Sequence, residues 1–462
     1  MATPGAVAVQ HELAPRYGRT APRSAHPWAL ALAVAVPLVV GYLIVSPPAG
    51  DLAAATYRSA LFARNGFTTW DTGWYAAHGH WLPGYSLLSP ALGWLLGVRV
   101  LLVLSAVAAC VLFALIARRA FDPVAARIAA VVFALGFCVE LLSGRVPYDL
   151  GFAIGLGAVL ALMRGVLPLA LVLAVLTSVA SPVAGAFLGL VGLAYALADV
   201  RRGVAVVAAA LAPILVLSLA FPEGGYEPFA PSDFWLTLGG VALIALLLPH
   251  GPLSARGRRV VRAGAALYAL ALIGSFVIAT PVGGNAARLG PPLAAPLLAG
   301  VLWERRRLAL ALLAPLLVYW QFVTPIHDVA ASAGDPSVSA SYYAPVLAEL
   351  SRLRRGAPTI VEVPLTKAHW EATYLAGHDG VSLARGWERQ LDTRYAALFY
   401  RPALSASAYR AWLAENKVEY IALPDAPLDK AGSLEGALVA RGAPYLRELW
   451  HSQHWRVYRV MG

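Results

Sequence analysis

Apolar runs long enough to cross a bilayer recur in this chain from residue 28 to residue 323. A hydrocarbon layer about 30 Å thick takes about 20 helical residues. Inside it a chain must satisfy its own backbone N–H and C=O groups, which a helix does within one segment. Of the 462 residues, 59% are hydrophobic and only 13% charged, where a soluble domain is about a quarter charged. The sequence therefore reads as an α-helical polytopic membrane protein. Its first run is 28–48 (WALALAVAVPLVVGYLIVSPP). A cleaved signal peptide is the rival reading of that run, because a basic stretch precedes it. The run is long for such a segment, and SPPAGD is a poor cleavage site. Further runs lie at 98–117, 124–142, 148–163, 165–181, 182–198, 203–221, 234–249, 263–280, 290–303 and 308–323, giving about eleven spans.

Arginine placement orients them. With the N-terminus inside, the inward loops hold Arg118, Arg119, Arg127, Arg164, Arg201, Arg202, Arg256, Arg258, Arg259, Arg262, Arg305, Arg306 and Arg307. The outward face holds only Arg58, Arg64, Arg99, Arg145 and Arg288. That asymmetry follows the positive-inside rule and predicts N-in, C-out in the plasma (cytoplasmic) membrane. The net charge of +11 is then a matter of topology, and no nucleic-acid partner is expected. Cys110 and Cys138 sit in apolar runs without any CxxC motif and read as core residues.

Three regions follow: 1–27 as a disordered cytoplasmic tail, 28–323 as the transmembrane domain with a first outward loop over 49–97, and 324–462 as an extracytoplasmic α/β domain. All lysines of the chain fall in that last region. TIVEVPL (359–365), VEYIALP (418–424) and WRVYRV (455–460) read as strands, and SASAYRAWLAEN (405–416) as a helix opened by a Ser cap. ARGWERQLD (384–392) reads either as a glycan contact or as a buried knot.

Ionisable groups at span ends cost free energy unless solvated or paired, so they are the first functional candidates. The outward face gathers Asp51, Asp71, Glu140, Arg145, Asp149 and Arg288, with His78 and His80. Asp51 opens LAAATYRSALFARNGF, an amphipathic interfacial stretch, and serves there as a helix cap or as a chemical group. Trp70, Trp74, Trp81 and Tyr85 read first as an interfacial belt, with stacking on a sugar face as the alternative. His78 and His80, two apart, can join Asp71 as metal ligands or act as ordinary hydrogen-bonding residues. TPVGGNAARLGPP (280–292) combines a Gly-rich turn with Asn285 and Arg288 ahead of a helix, a phosphate site or a plain turn. SGRVPYDLG (143–151) sets Arg145 near Asp149, where the two can pair. There is no GxxxxGK[ST] and no glycine fingerprint, so a nucleotide donor is not supported.

An Asp directly after the first span, then W-D-x-x-W-Y and L-P-G-Y-S-L-L-S-P leading into the second, resembles the first outward loop of the GT-C superfamily of membrane glycosyltransferases. YRAWLAENKVEYIALP and the closing WHSQHWRVYRV resemble the outward α/β domain that such enzymes carry after the last span. The resemblance implies sugar transfer from a polyprenyl-phosphate-linked donor to an extracytoplasmic glycan, lipid or protein acceptor. Asp51 is then the catalytic acid that deprotonates or orients the acceptor hydroxyl, with Asp71 as a second acid in the loop. Arg288, Arg145 and Asn285 bind the donor phosphate, and Trp70, Trp74, Tyr75, His78, His80 and Tyr85 shape the sugar pocket. A divalent metal, Mg or Mn, is the one cofactor the resemblance admits, and membrane lipid is the other partner. Two departures stand out: no second acid adjoins Asp51, and Pro83-Gly84 occurs where relatives carry Pro-Pro. The alternatives are a transporter or flippase of a lipid or solute, or a non-catalytic envelope scaffold.

Overall fold

The computed structural model describes residues 26–222, 224–247, 255–304, 306–392, 394 and 396–461. The expected tail up to residue 25, and Arg305, lie outside them. Every expected apolar run is a helix. They are α1 (Pro27–Val45), then α2 (Gly50–Asn65) and α3 (Ser89–Leu96) of the first loop, then α4 (Val98–Ala120), α5 (Pro123–Glu140), α6 (Val146–Met163), α7 (Leu167–Ala180), α8 (Pro182–Ala196), α9 (Val200–Ala220), α10 (Pro231–Leu247), α11 (Ala255–Val277), α12 (Gly290–Leu302) and α13 (Arg307–Ser332). Among the described residues seven helices (α1, α4, α5 continued to Ser143, α6, α9, α11 and α13) are long and apolar enough to cross a membrane. The chain is a polytopic membrane protein.

Lipid is as apolar as leucine, so helices in it associate by close packing of small residues. Ala31 and Ala35 of α1, Ala106 and Ala109 of α4, and Ala126, Ala129 and Ala130 of α5 are completely buried where these helices meet. Leu215 and Leu219 of α9 and Leu308 and Leu312 of α13 are exposed, as a lipid-facing surface requires. Proline opens α1, α5 and α8, where its missing N–H costs nothing. At Ser181-Pro182 the serine hydroxyl caps α8 by accepting from the Ala184 N–H, and this separates α7 from α8 without any charge between them. The arginines sort by end. Arg118 and Arg119 at the end of α4 neighbour Arg164 at the end of α6, whereas Arg145 and Arg288 meet at the other end, beside Asp51.

The first loop contributes a two-residue hairpin, β1 (Trp70–Asp71) paired antiparallel with β2 (His80–Trp81). The C-terminal region holds a five-stranded sheet in the order β4-β3-β5-β7-β6. Its strands are β3 (Thr359–Glu362), β4 (Val381–Leu383), β5 (Tyr420–Pro424), β6 (Leu446–His451) and β7 (Trp455–Val460). β3 runs parallel to β4 and β5, while β7 is antiparallel to β5 and β6. The helices of this region include α14 (Ala340–Leu353), α15 (Glu371–Tyr374), α16 (Ala406–Glu415) and α17 (Lys430–Arg441). The expected strands and capped helix appear as β3, β5, β7 and α16. Two strands escape a sequence reading, since β4 has three residues and β6 is a polar edge. The last apolar helix also passes the expected end at 323 and runs to Ser332, carrying Pro325 inside it.

Candidate active site

Asp51 sits in the first turn of α2, where the positive end of the helix dipole favours a carboxylate. It does not cap the helix: the N-cap is Ala49, and no side chain bonds the free N–H groups. Its Oδ2 instead lies 3.4 Å from Arg145 Nε and 3.7 Å from Arg288 Nη2. Arg145 stands in the tight turn between α5 and α6. That turn closes on α2 because Gly144, at φ +72°, has no Cβ; one would stand 2.8 Å from Leu52 Cβ.

The two arginines differ. Arg145 contacts three carboxylates, with Glu140 Oε1 at 2.6 Å and Asp328 Oδ2 at 3.5 Å besides Asp51. Ser143 donates to the same Asp328 oxygen at 2.7 Å. Its guanidinium thus sits among three carboxylates, hydrogen-bonded to Glu140, and fixes the turn. Arg288 makes a single ion pair among the described residues, to Asp51, and stacks loosely over Tyr148, so it is the more available cation. Asp149 does not pair with Arg145 as its spacing suggested. It is wholly buried, and neither carboxylate oxygen has a hydrogen-bond partner among the described residues. Sequence reasoning missed Asp328 because it ended the last apolar run at 323. The apolar spacing continuing through PIHDVAAS is the signal that extends the helix to it.

Asp71 belongs to another network. It accepts from the Tyr57 hydroxyl at 2.6 Å, the Gly73 N–H at 2.9 Å and the Trp74 N–H at 3.4 Å, and is itself buried. Those bonds organise the loop, and the structure does not join Asp71 to Asp51. The expected sugar-pocket residues are divided in the same way. Trp74 is fully buried, with its ring 5.6 Å from Tyr57 and 4.7 Å from Trp387. Tyr75 donates to the Glu388 carbonyl at 3.0 Å, and Tyr85 lies under the Arg58 guanidinium at 3.6 Å. Trp70, stacked edge-on against Trp81, keeps an exposed face, as does His78. The remaining aromatics form the seam between the first loop and the C-terminal sheet instead of an open pocket.

That seam explains why so polar and aromatic a loop follows the first span. Ala76 donates to the Leu383 carbonyl at 2.8 Å and Leu383 to the Gly73 carbonyl at 2.9 Å, so the loop continues the sheet beyond β4. Arg58 Nη1 and Nη2 meet Glu388 Oε1 and Oε2 at 3.0 and 2.6 Å, a buried bidentate pair. In ARGWERQLD the structure finds the buried knot: Arg385 lies between Glu362 and Glu435, and Tyr409 donates to Glu435.

The Gly-rich turn offers little backbone to a phosphate. The Gly283 and Asn285 N–H groups bond within the turn, the Gly284 N–H donates to the Pro228 carbonyl, and Pro291 and Pro292 supply no N–H at the start of α12. Arg288 is the group of this turn that the structure brings to Asp51; Asn285 is half-buried.

For a divalent metal, no three His, Cys, Asp or Glu side chains converge suitably among the described residues. His80 pairs across the hairpin with Asp71 but is buried against Trp74 and Tyr75, while His78 lies on the intervening turn, within range of the charges of Asp392 and Arg394. At Asp51 two guanidiniums already flank the carboxylate. The residues present do not fit a protein-held Mg or Mn.

Burial pushes the His80 imidazole down to about 4. The unfolded chain, with its histidine near 6.5, therefore binds a proton that the folded chain refuses between these values. Stability from this residue is complete above about pH 6.5 and falls as the pH drops toward 4, by up to about 3 kcal/mol. His80→Leu is expected to flatten the pH dependence of unfolding in detergent between pH 6.5 and 4.5. An unchanged slope would remove the histidine from this role.

No protein-family profile matches the chain, and no curated protein matches it in sequence. Among solved structures it is similar to the oligosaccharyltransferase of Archaeoglobus fulgidus, crystallised with a tethered acceptor peptide. The identity is 11% and the TM-score 0.51, over 94% of this chain and 74% of that one. It is also similar to the mycobacterial arabinofuranosyltransferase AftD, at 17% identity and a TM-score of 0.49. That match covers 96% of this chain but only 42% of AftD. The likeness to the oligosaccharyltransferase is one of fold alone.

Proposed function

We propose that the protein is a membrane glycosyltransferase that moves a sugar from a polyprenyl-phosphate-linked donor to an extracytoplasmic glycan, lipid or protein acceptor. The observation that carries this reading is the Asp51 carboxylate between the Arg145 and Arg288 guanidiniums, at the bundle end that bears the C-terminal sheet. A lipid-linked donor stays in the bilayer, so its phosphate must meet cationic groups at the interface. Arg288 neutralises that phosphate, and Arg145, held by Glu140 and Asp328, keeps Arg288 and Asp51 in register. Asp51 orients or deprotonates the acceptor hydroxyl, a contribution of about 10²–10⁴-fold when the base is well placed. In this reading all the apolar helices cross, the N-terminus is inside, the plasma membrane is the site, and the C-terminal domain faces outward beside its acceptor. Transport is less well supported, because the charged groups gather at one end of the bundle.

The test is to supply membranes containing the protein with radiolabelled undecaprenyl-phosphate monosaccharides. Release of undecaprenyl phosphate with label passing to an acceptor is the expected result. Movement of a solute across sealed vesicles without donor consumption would favour a transporter and overturn the reading. Because two arginines supply the positive charge at Asp51, turnover is expected to survive EDTA. A loss that Mg or Mn restores would transfer the arginines' role to a cation.

A further inference from the structure

The segment after α9 (residues 224–230) has no role in the site so far, yet it bridges the C-terminal domain and the turn that carries Arg288. The Gly225 N–H donates to the Gln390 carbonyl at 3.0 Å, the Glu227 N–H to the Thr280 carbonyl at 3.0 Å, and the Gly284 N–H to the Pro228 carbonyl at 3.3 Å. The segment is thus stitched to the C-terminal domain on one side and to the Arg288 turn on the other. The fit needs glycine at 283, where φ is +41° and a Cβ would stand 1.8 Å from the Glu227 carbonyl oxygen. The Glu227 side chain is half-buried in this seam and makes no hydrogen bond or ion pair among the described residues. The charges that act on it come from three other elements: Arg288 of the turn, Arg389 and Glu388 of the C-terminal domain, and Asp51 of α2. Arg389 is held over the Tyr400 ring at 3.2 Å.

We propose that Glu227 is a second carboxylate of this site and accepts the proton of the acceptor hydroxyl, while Asp51 orients that hydroxyl and the two arginines. This rests on the glycosyltransferase reading above. The acceptor O–H bond breaks and its proton passes to a Glu227 oxygen. The freed electron pair forms the bond to the anomeric carbon of the donor sugar. The bond from that carbon to the phosphate oxygen breaks, and its electrons leave with polyprenyl phosphate against Arg288. Physical chemistry favours this division. Asp51 is already engaged by two guanidiniums, whereas the Glu227 carboxylate makes no ion pair among the described residues and is free to receive a proton. Burial pushes the Glu227 carboxyl up to about 7, against the opposing pull of Arg288 and Arg389. A general base works best when its pKa lies near the working pH.

The experiment measures undecaprenyl-phosphate release from undecaprenyl-phosphate monosaccharides by wild type, Glu227→Gln, Glu227→Asp and Asp51→Asn, between pH 5 and 9. The wild-type rate is expected to fall below about pH 7. Glu227→Gln is expected to lose about a hundredfold in kcat and that acid limb with it, while KM for the donor stays within about threefold. Glu227→Asp, which keeps the carboxylate, is expected to recover part of the rate and restore an acid limb. A folded Glu227→Gln protein with the wild-type rate and profile overturns the proposal. If Asp51→Asn is inactive in the same assay, the glycosyltransferase reading survives that failure. A wild-type protein that consumes no lipid-phosphate sugar overturns both.

Discussion

Asp51→Asn is expected to lower sugar transfer by roughly 10²-fold, through lost orientation of the acceptor and the arginines, while the protein still inserts and folds. The substitution keeps the shape of the side chain and removes its charge. Arg145 loses one of three carboxylate neighbours but keeps Glu140 and Asp328, so the turn that carries it remains held. Asp51 is also the most exposed acid of the cluster, at 39%, so little of the fold leans on it. The loss should therefore appear in kcat with the unfolding transition almost unmoved. Asp71→Asn is the contrasting case. Asp71 is buried and accepts three hydrogen bonds, so its penalty falls on stability, by about 1–3 kcal/mol. Full turnover in folded Asp51→Asn protein would end the catalytic assignment.

Arg58→Ala should be the most destabilising single change outside the bundle, by about 3–5 kcal/mol. It strands Glu388 without a partner in a buried site, and it removes the guanidinium that covers Tyr85 and faces Trp74. The first loop and the C-terminal domain should then part. The measurable signs are a lower unfolding midpoint in detergent and faster protease cutting of the loop around residue 76, where it now bonds β4. The double change Arg58→Met with Glu388→Leu separates lost charge pairing from lost packing. Replacing a buried ion pair by apolar side chains of similar volume is often neutral or stabilising, so the double variant should recover most of the loss. A single variant as stable as wild type would show that the pair does not lock the two parts together.

The helices were legible because lipid imposes a local rule: a run either is apolar for long enough or is not. The cap at Ser405 was legible for a similar reason, since a capping hydroxyl acts within three residues. The first loop and the C-terminal region also stood out, and the structure ties the two together through Arg58–Glu388 and the backbone bonds to Leu383. What could not be read was which polar group answers which. Asp71 and Asp51 looked like a pair because they share a loop, yet Asp71 turns to Tyr57 and two backbone N–H groups. Trp74, Tyr75, His80 and Tyr85 looked like a sugar surface because aromatics suit one, yet Trp74 packs on Trp387 and Tyr75 bonds the Glu388 carbonyl, both more than 300 positions along the chain.

By itself, then, the sequence determined the membrane class, the succession of helices and the gathering of scarce carboxylates and arginines at span ends, because hydrophobic length and end charge act within one segment. Only the tertiary structure decided that Arg145 answers three acids while Arg288 answers one, that Asp328 joins them, and that Glu227 arrives at the seam without a partner among the described residues. Ion pairing depends on separations of a few ångströms, and those are set by how distant helices and the sheet pack, not by neighbours along the chain.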